Sequence, residues 1–306
     1  MKRLMIVCLL ATSLLHAGGG KGVYELSGEL IVWEPCNRDF VFTHRAAAQP
    51  NRNDLFTVEP EYGAGFRVGF GYTDCEGVFC VDIRYTYWDG RVSRSVTGTN
   101  LRLEVPNFSL NLTRVDGRRH LEYQEGDLRL RRSLICDSCY GISAVGGVRF
   151  VYLEEDERST GLQTPPATPI IIAQRDKFIG FTFNGGLSGY RTLCWNLLLK
   201  GEVLGMVGAG EQTNNWAVLS GAGAGISSYG GRVPSSFNCI TGVDGKVSLA
   251  RPFCIARCSL AVEIGYEILY YINALRHVEP ITPDAYALPT YGVGFQGPFL
   301  KLGAIF

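Results

Sequence analysis

The sequence predicts an all-β protein: a transmembrane antiparallel β-barrel of about ten strands, with long extracellular loops and short periplasmic turns. Three observations point there. The segment 58–72, VEPEYGAGFRVGFGY, places an apolar or aromatic side chain or a proline at every even position and Glu, Gly or Arg at every odd one. Side chains alternate across a strand, so one face of this segment meets an apolar medium and the other a polar one. Strands of soluble domains run to ~5–6 residues, whereas a strand crossing a bilayer at ~45° needs ~9–11. The second observation is composition: 38 Gly, 16 Phe and 15 Tyr stand against 3 Met, and long helical runs are absent from the 306 residues. That bias favours strands. The third is the N-terminus, MKRLMIVCLLATSLLHAGGG, in which Lys2 and Arg3 precede an apolar run from Leu4 to Leu15 and small residues from Ala17 onward. Residues 1–17 read as a signal peptide, cleaved after Ala17 and taking Cys8 with it, and residues 18–306 as a single outer membrane β-barrel domain. No later stretch approaches ~18 uninterrupted apolar residues. An exported chain that meets lipid without a helix must close its sheet, because an open edge cannot be satisfied in hydrocarbon.

The remaining strands follow the same alternation. Tyr24, Leu26, Leu30 and Val32 oppose Glu25, Ser27 and Glu29, and after the long segment a tight turn at 73–77 leads to Phe79, Val81, Ile83, Tyr85 and Tyr87. Residues 120–134 are less regular: Leu121 and Tyr123 are out of phase with Leu128 and Leu130, which predicts a bulge. Next come Ile142 to Tyr152, then Ile179 to Leu187, a short turn, and Trp195 to Val207. Thr241 to Leu249, Leu260 to Ile272 and the closing GPFLKLGAIF complete ten strands. Residues 101–112 would raise the count to twelve if they form a hairpin. The connections sort into short ones near 73–77, 134–140, 190–193 and 250–258 and long ones at 35–56, 89–119, 154–176, 208–237 and 274–289, with all long ones on one side, as such barrels require.

The blocks YELSGELIVWEP (24–35), VEPEYGAGFRVGFGY (58–72), DIRYTYW (82–88), GGVRFVYLE (146–154), LAVEIGYEILYY (260–271) and GPFLKLGAIF (297–306) together resemble the Legionella/chlamydial major outer membrane protein-like family. The resemblance covers nearly the whole mature chain and implies a pore-forming outer membrane barrel.

The polar faces of these strands carry Glu25, Glu29, Glu59, Glu61, Asp82, Glu202, Asp244, Glu263 and Glu267 against Arg67, Arg84, Arg149, Lys200, Lys246 and Lys301. They are the candidate pore lining, where rings of charge tune ion passage; the competing reading is an interior filled by paired side chains, as narrow barrels have. Tyr62, Tyr72, Tyr85, Tyr87, Trp33, Trp195 and Tyr266 are expected on the outside as interfacial girdles. Without Cys8 nine cysteines remain, and seven of them (Cys75, Cys80, Cys136, Cys139, Cys194, Cys254 and Cys258) fall in or beside the short turns, with Cys36 and Cys239 elsewhere. In an oxidising compartment disulfides are expected, and an odd count leaves a thiol for another chain. Bridges within the chain are the equal alternative. The spacing of Cys136, Cys139, Cys254 and Cys258 would suit zinc, but the compartment argues against it.

The 29 basic and 29 acidic residues cancel, which gives no reason to expect nucleic acid. The mature chain has three histidines, His44, His120 and His277, without a nucleophile grouping or phosphate loop, so the chain is not read as an enzyme and no cofactor is expected. The expected function is a weakly selective outer membrane pore that also braces the envelope through disulfides, with outer membrane lipid, small hydrophilic solutes or ions, and disulfide-linked envelope proteins or further copies as partners. The alternative is a non-conducting barrel acting as a surface adhesin or structural anchor.

Overall fold

The computed structural model describes residues 22–36, 40–45, 54–59, 61–74, 76–103, 112–163, 169–222, 225–255, 258–277, 279–282, 285–287 and 289–306. The leader expected at 1–17 lies outside them. Fourteen strands follow in order: β1 (Val23–Cys36), β2 (Phe40–Arg45), β3 (Asp54–Val58), β4 (Gly63–Thr73), β5 (Phe79–Arg102), β6 (Leu112–Cys136), β7 (Tyr140–Gln163), β8 (Pro169–Thr192), β9 (Leu198–Ala222), β10 (Gly225–Ile255), β11 (Cys258–Arg276), β12 (Glu279–Thr282), β13 (Ala285–Ala287) and β14 (Thr290–Ile305). Ten of them form a ring, β1-β4-β5-β6-β7-β8-β9-β10-β11-β14, each antiparallel to its neighbours, with β14 returning to β1. β2 and β3 form a hairpin joined to the far end of β5 through His44 and Arg102, and among the described residues β12 pairs only with β13.

Closure settles the strand number. Because the ring closes through Glu25–Ile305 pairing on one side and Cys80–Arg131 pairing on the other, it counts ten strands among the described residues; of the segment 101–112, Leu101 and Arg102 end β5 and Leu112 begins β6, and 104–111 lie outside the described residues. The N- and C-terminal strand ends meet, with the Tyr24 and Phe306 amides each donating to the other's carbonyl at 3.0 Å. They share one end of the barrel with the four short turns, the periplasmic end in barrels of this kind.

The outer wall has a defined apolar belt. Leu26, Leu30, Phe66, Val68, Leu128, Leu130, Phe150, Phe181, Phe183, Val203, Val207, Val247, Ile264 and Leu302 are all exposed on it. Aromatic residues mark both borders: Tyr24, Tyr72 and Phe306 cluster at the turn end, with ring centroids 5.2 and 6.3 Å from Tyr24, and Tyr87 and Tyr152 stand at the other border, where the outward positions change to Asp89 and Glu154. Above that border the strands continue. β5 to β9 run to 24 or 25 residues and β10 to 31, far beyond the ~9–11 a bilayer requires. Much of what the sequence suggested as long loops at 89–119, 154–176 and 208–237 is therefore strand projecting into solvent. The lipid-facing half of the period-two signal disappears there because the outside is wet, as the Arg175–Asp156 and His120–Asp89 pairs on the outer surface indicate.

Other expectations shift in detail. Val58 closes β3 and β4 begins only at Gly63, so the first residues of 58–72 belong to a hairpin end and a connection, and Glu59 and Glu61 are exposed outside any strand. Trp195 lies in a 3-10 turn, Cys194–Asn196, at φ 60° and fully on the surface, and β9 starts after it. No bulge separates Leu121 and Tyr123 from Leu128 and Leu130, since pairing of β6 with β5 is continuous from Arg132 to Val115; the register shift that falls within 120–134 is at its end, between Ser133 and Ile135 against β7. Leu121 and Tyr123 are out of phase because they face the interior, 2 % and 0 % exposed, while Leu128 and Leu130 face lipid. Trp33 is likewise interior, at 0 %, on the face opposite to Val32.

Small residues on the inner face let the strands approach in so tight a ring. A Cβ on Gly147 would stand 2.2 Å from the Leu128 carbonyl oxygen, whereas one on outward Gly126 would meet nothing within 4 Å. Gly147→Val is expected to lose at least ~1–3 kcal/mol through overpacking, and Gly126→Val to stay within ~0.5 kcal/mol of the parent, as read by urea titration of the heat-modifiable gel band.

Candidate functional site

The interior is built in levels along the barrel axis, each set by the inward half of the alternating positions. Nearest the turn end is a polar cavity of about 260 Å³. Its charged groups are paired, across strands in Lys301 with Glu25 at 2.8 Å, Lys200 with Glu263 at 2.8 Å and Arg131 with Asp82 at 3.2 Å, and within β5 in Arg84 with Asp82 at 3.7 Å. The cavity lining ends upward at Glu29, Arg67 and Lys246.

There a buried ion network begins. Arg67 of β4 forms a fork on Glu267 of β11, 3.0 Å to each oxygen, reaches Glu29 of β1 at 2.7 Å, and donates Nε–H to Thr86 of β5 at 2.9 Å. Lys246 of β10 holds the other side of Glu29 at 3.0 Å. Arg149 of β7 reaches Asp244 of β10 at 2.7 Å, Asp127 of β6 at 3.2 Å and Glu125 at 3.3 Å. Arg129 pairs with Asp127 and Glu202 and lies 3.3 Å from Asp244. Arg149 is 1 % exposed and Glu267 3 %, so these charges sit away from bulk water and hold strands that are not neighbours in the ring to one another.

Above the network lies an aromatic plug. Phe295 stands at its centre, with ring centroids 5.4 Å from Trp33, 5.2 Å from Trp88 and 4.9 Å from Tyr123. The guanidinium of Arg67 lies under Trp33, 5.6 Å from the ring centre, and the Tyr123 hydroxyl contacts Glu125 and lies 3.0 Å from the Tyr271 hydroxyl, so plug and network are fastened together. Ile31, Leu153, Phe178, Leu269 and Leu275 pack around these rings, all at most 1 % exposed. A bulge in β11 contributes to the filling: Tyr271 pairs with Val293 and Leu275 with Tyr291, which leaves three β11 residues opposite Gly292. Asn273 adopts φ 59° there, and Gln212 of β9 donates from Nε2 to the Asn273 and Ala274 carbonyls at 2.7 and 3.0 Å. The end of β11 thus leans across the lumen, where His277 meets Gln174 of β8 at 2.7 Å and lies 3.6 Å from Glu157 of β7. At the mouth a second apolar cluster joins Phe42 and Val58 of the β2–β3 hairpin to Leu101, Leu112, Val115 and Ile170.

Of the candidate pore-lining residues, Glu25, Glu29, Arg67, Asp82, Arg84, Arg149, Lys200, Glu202, Asp244, Lys246, Glu263, Glu267 and Lys301 face the interior, where they meet in the cavity and the network; Glu61 does not join them. Sequence reasoning missed Glu125, Asp127, Arg129 and Arg131, whose alternation with Leu128 and Leu130 was the available signal, and it missed the plug, whose members share the inward phase of the charged residues. Among the cysteines, Cys136, Cys139, Cys194 and Cys254 lie exposed by the turn end and Cys80 partly buried nearby. The turns that carry Cys139 and Cys194 are adjacent, the Thr192 amide donating to the Cys139 carbonyl at 2.7 Å. Cys36 and Cys239 lie further along the barrel. These seven are free thiols; Cys75 and the side chain of Cys258 lie outside the described residues.

Arg149→Met would leave Glu125, Asp127 and Asp244 short of a countercharge, and the expected cost is ~3–5 kcal/mol. Lys200→Met, at a pair open to the cavity, should cost at most ~1 kcal/mol. Urea unfolding from lipid vesicles followed by tryptophan fluorescence separates the two.

Among solved structures the chain is similar to the outer membrane protease OmpT of Escherichia coli, at 11% identity over 94% of this chain and 96% of that one with a TM-score of 0.42. It is also similar to a FadL homologue of Pseudomonas aeruginosa, at 7% identity over 94% and 90% with a TM-score of 0.27. Comparison with the curated proteins gives no match. The family model described as Legionella pneumophila major outer membrane protein precursor matches residues 20–306. The chain therefore belongs to the Legionella major outer membrane protein family and is a β-barrel of the bacterial outer membrane.

Proposed function

We propose that this protein is a closed barrel with a structural and surface-presenting role in the outer membrane. The observation that carries this reading is the plug: Trp33, Trp88, Tyr123, Tyr271 and Phe295 are each 0 % exposed and lie beyond Glu29 and Arg67, where the lining of the 260 Å³ cavity ends. A passage for ions needs a continuous wet path lined by polar groups, and the aromatic level supplies none. The energy of closure is large, since displacing even one buried aromatic side chain exposes ~150–250 Å². The strands that project beyond the membrane border support a presenting role, and the exposed cysteines by the turn end support covalent bracing to neighbouring envelope proteins or further copies. No catalytic role is included.

A weakly selective pore is the second reading. The resemblance to pore-forming proteins and the charged, turn-end cavity favour it, and it requires the plug to move aside.

Refolded mature protein, its folding verified by heat-modifiable gel mobility, is expected to stay silent in planar bilayers. Discrete conductance steps would overturn the closed reading, and a loss of cation preference in Glu263→Gln/Glu267→Gln would then assign the lining. For the cysteines, envelopes prepared with thiols blocked are expected to show ladders of cross-linked species on non-reducing gels that collapse to monomer with reductant. Monomer alone before reduction would remove the bracing role.

A further inference from the structure

The outer wall carries an apolar groove of 530 Å³ at the turn end of β4, β1, β14 and β11. It exists because small residues interrupt the belt: Gly28 and Ala304 sit where Leu26, Leu30 and Leu302 would otherwise make a continuous ridge, and a Cβ on Gly28 would meet nothing within 4 Å. Below β1 and β14 the groove is bounded by the contact of Tyr24 with Phe306. Toward β10 it reaches Phe253, one of its walls. There Arg251, which pairs across the strands with groove residue Val262, lays its guanidinium over the Phe253 ring at 5.3 Å. Arg251 is exposed and forms no ion pair with any described residue.

We infer that this groove is a binding site for one anionic glycerophospholipid of the periplasmic leaflet. An acyl chain lies in the Gly28–Ala304 depression and the headgroup phosphate meets Arg251. The position fixes the medium, because the groove opens on the lipid-facing belt within a few residues of the periplasmic turns and so meets inner-leaflet chains. The volume falls in the range of ordinary ligand sites, ~300–1,000 Å³. The charge fixes the headgroup: a guanidinium that stacks on an aromatic ring keeps its N–H fork available for a phosphate, and its stem snorkels along apolar surface to the interface. The inference concerns the outside wall alone and holds whether or not the lumen conducts.

The test uses the refolded mature protein in detergent supplemented with equal amounts of phosphatidylglycerol and phosphatidylethanolamine, with bound lipid counted by native mass spectrometry. The parent is expected to retain one phosphatidylglycerol through collisional activation, with at least a tenfold preference over phosphatidylethanolamine. Gly28→Leu, which fills the depression into open space, should lose the lipid while keeping heat-modifiable mobility. Arg251→Gln should bind lipid without the preference, and Arg251→Lys should recover part of it. Equal retention by the parent, Gly28→Leu and Arg251→Gln means adventitious boundary lipid only and overturns the site, as does a parent that shows no headgroup preference. A dimer that Gly28→Leu dissociates would overturn it too, by assigning the groove to a second copy of the chain.

Discussion

A closed ring of ten strands leaves room inside for side chains and little else, and the rest of the molecule follows from that limit. Every inward position must either pack against another side chain or pair its charge. Glycine serves where two strands nearly touch, as at Gly147. The closure is itself obligatory, since any edge left in hydrocarbon would expose unpaired peptide groups. Inner volume and outer medium together dictate a residue class at almost every wall position.

Within that volume the molecule uses two kinds of filling. The charged level around Arg67, Arg129 and Arg149 gives many cross-barrel contacts at the cost of desolvating each ion, so its net contribution to stability is small and its removal piecemeal is harmful. Its geometric effect is larger: bonds such as Arg67–Glu267 and Arg149–Asp244 tie together strands that are not neighbours in the sheet. The aromatic level above is the part that gains by burial. Contact between them, Arg67 under Trp33 and Tyr123 against Glu125, means neither can rearrange alone.

The two ends of the barrel do different work. Short turns concentrate cysteine at the periplasmic end. At the other end the strands outrun the membrane, and the β2–β3 hairpin and the end of β11 fold over the lumen. The bulge at Ile272–Ala274 is where β11 parts from β10 while it stays paired with β14.

Much of this was legible without coordinates. A strand number of about ten, antiparallel order, the side on which the short turns lie and the inward set from Glu29 to Lys301 follow from a period-two pattern that has only one cause, the contrast between lipid and interior. The pattern fails where the contrast fails. Above the membrane both faces of a strand touch polar surroundings or protein, so β5 to β10 lose their signature and look like loops. Inside the plug the interior is as apolar as lipid, so Leu121 and Tyr123 imitate a broken register. By itself, then, the sequence determined which residues alternate and that the sheet must close. Only the tertiary structure decided what lies at the centre, because whether inward side chains line a channel or fill it depends on the radius of the ring and on which residues of distant strands come level, and neither is written in any local stretch of chain.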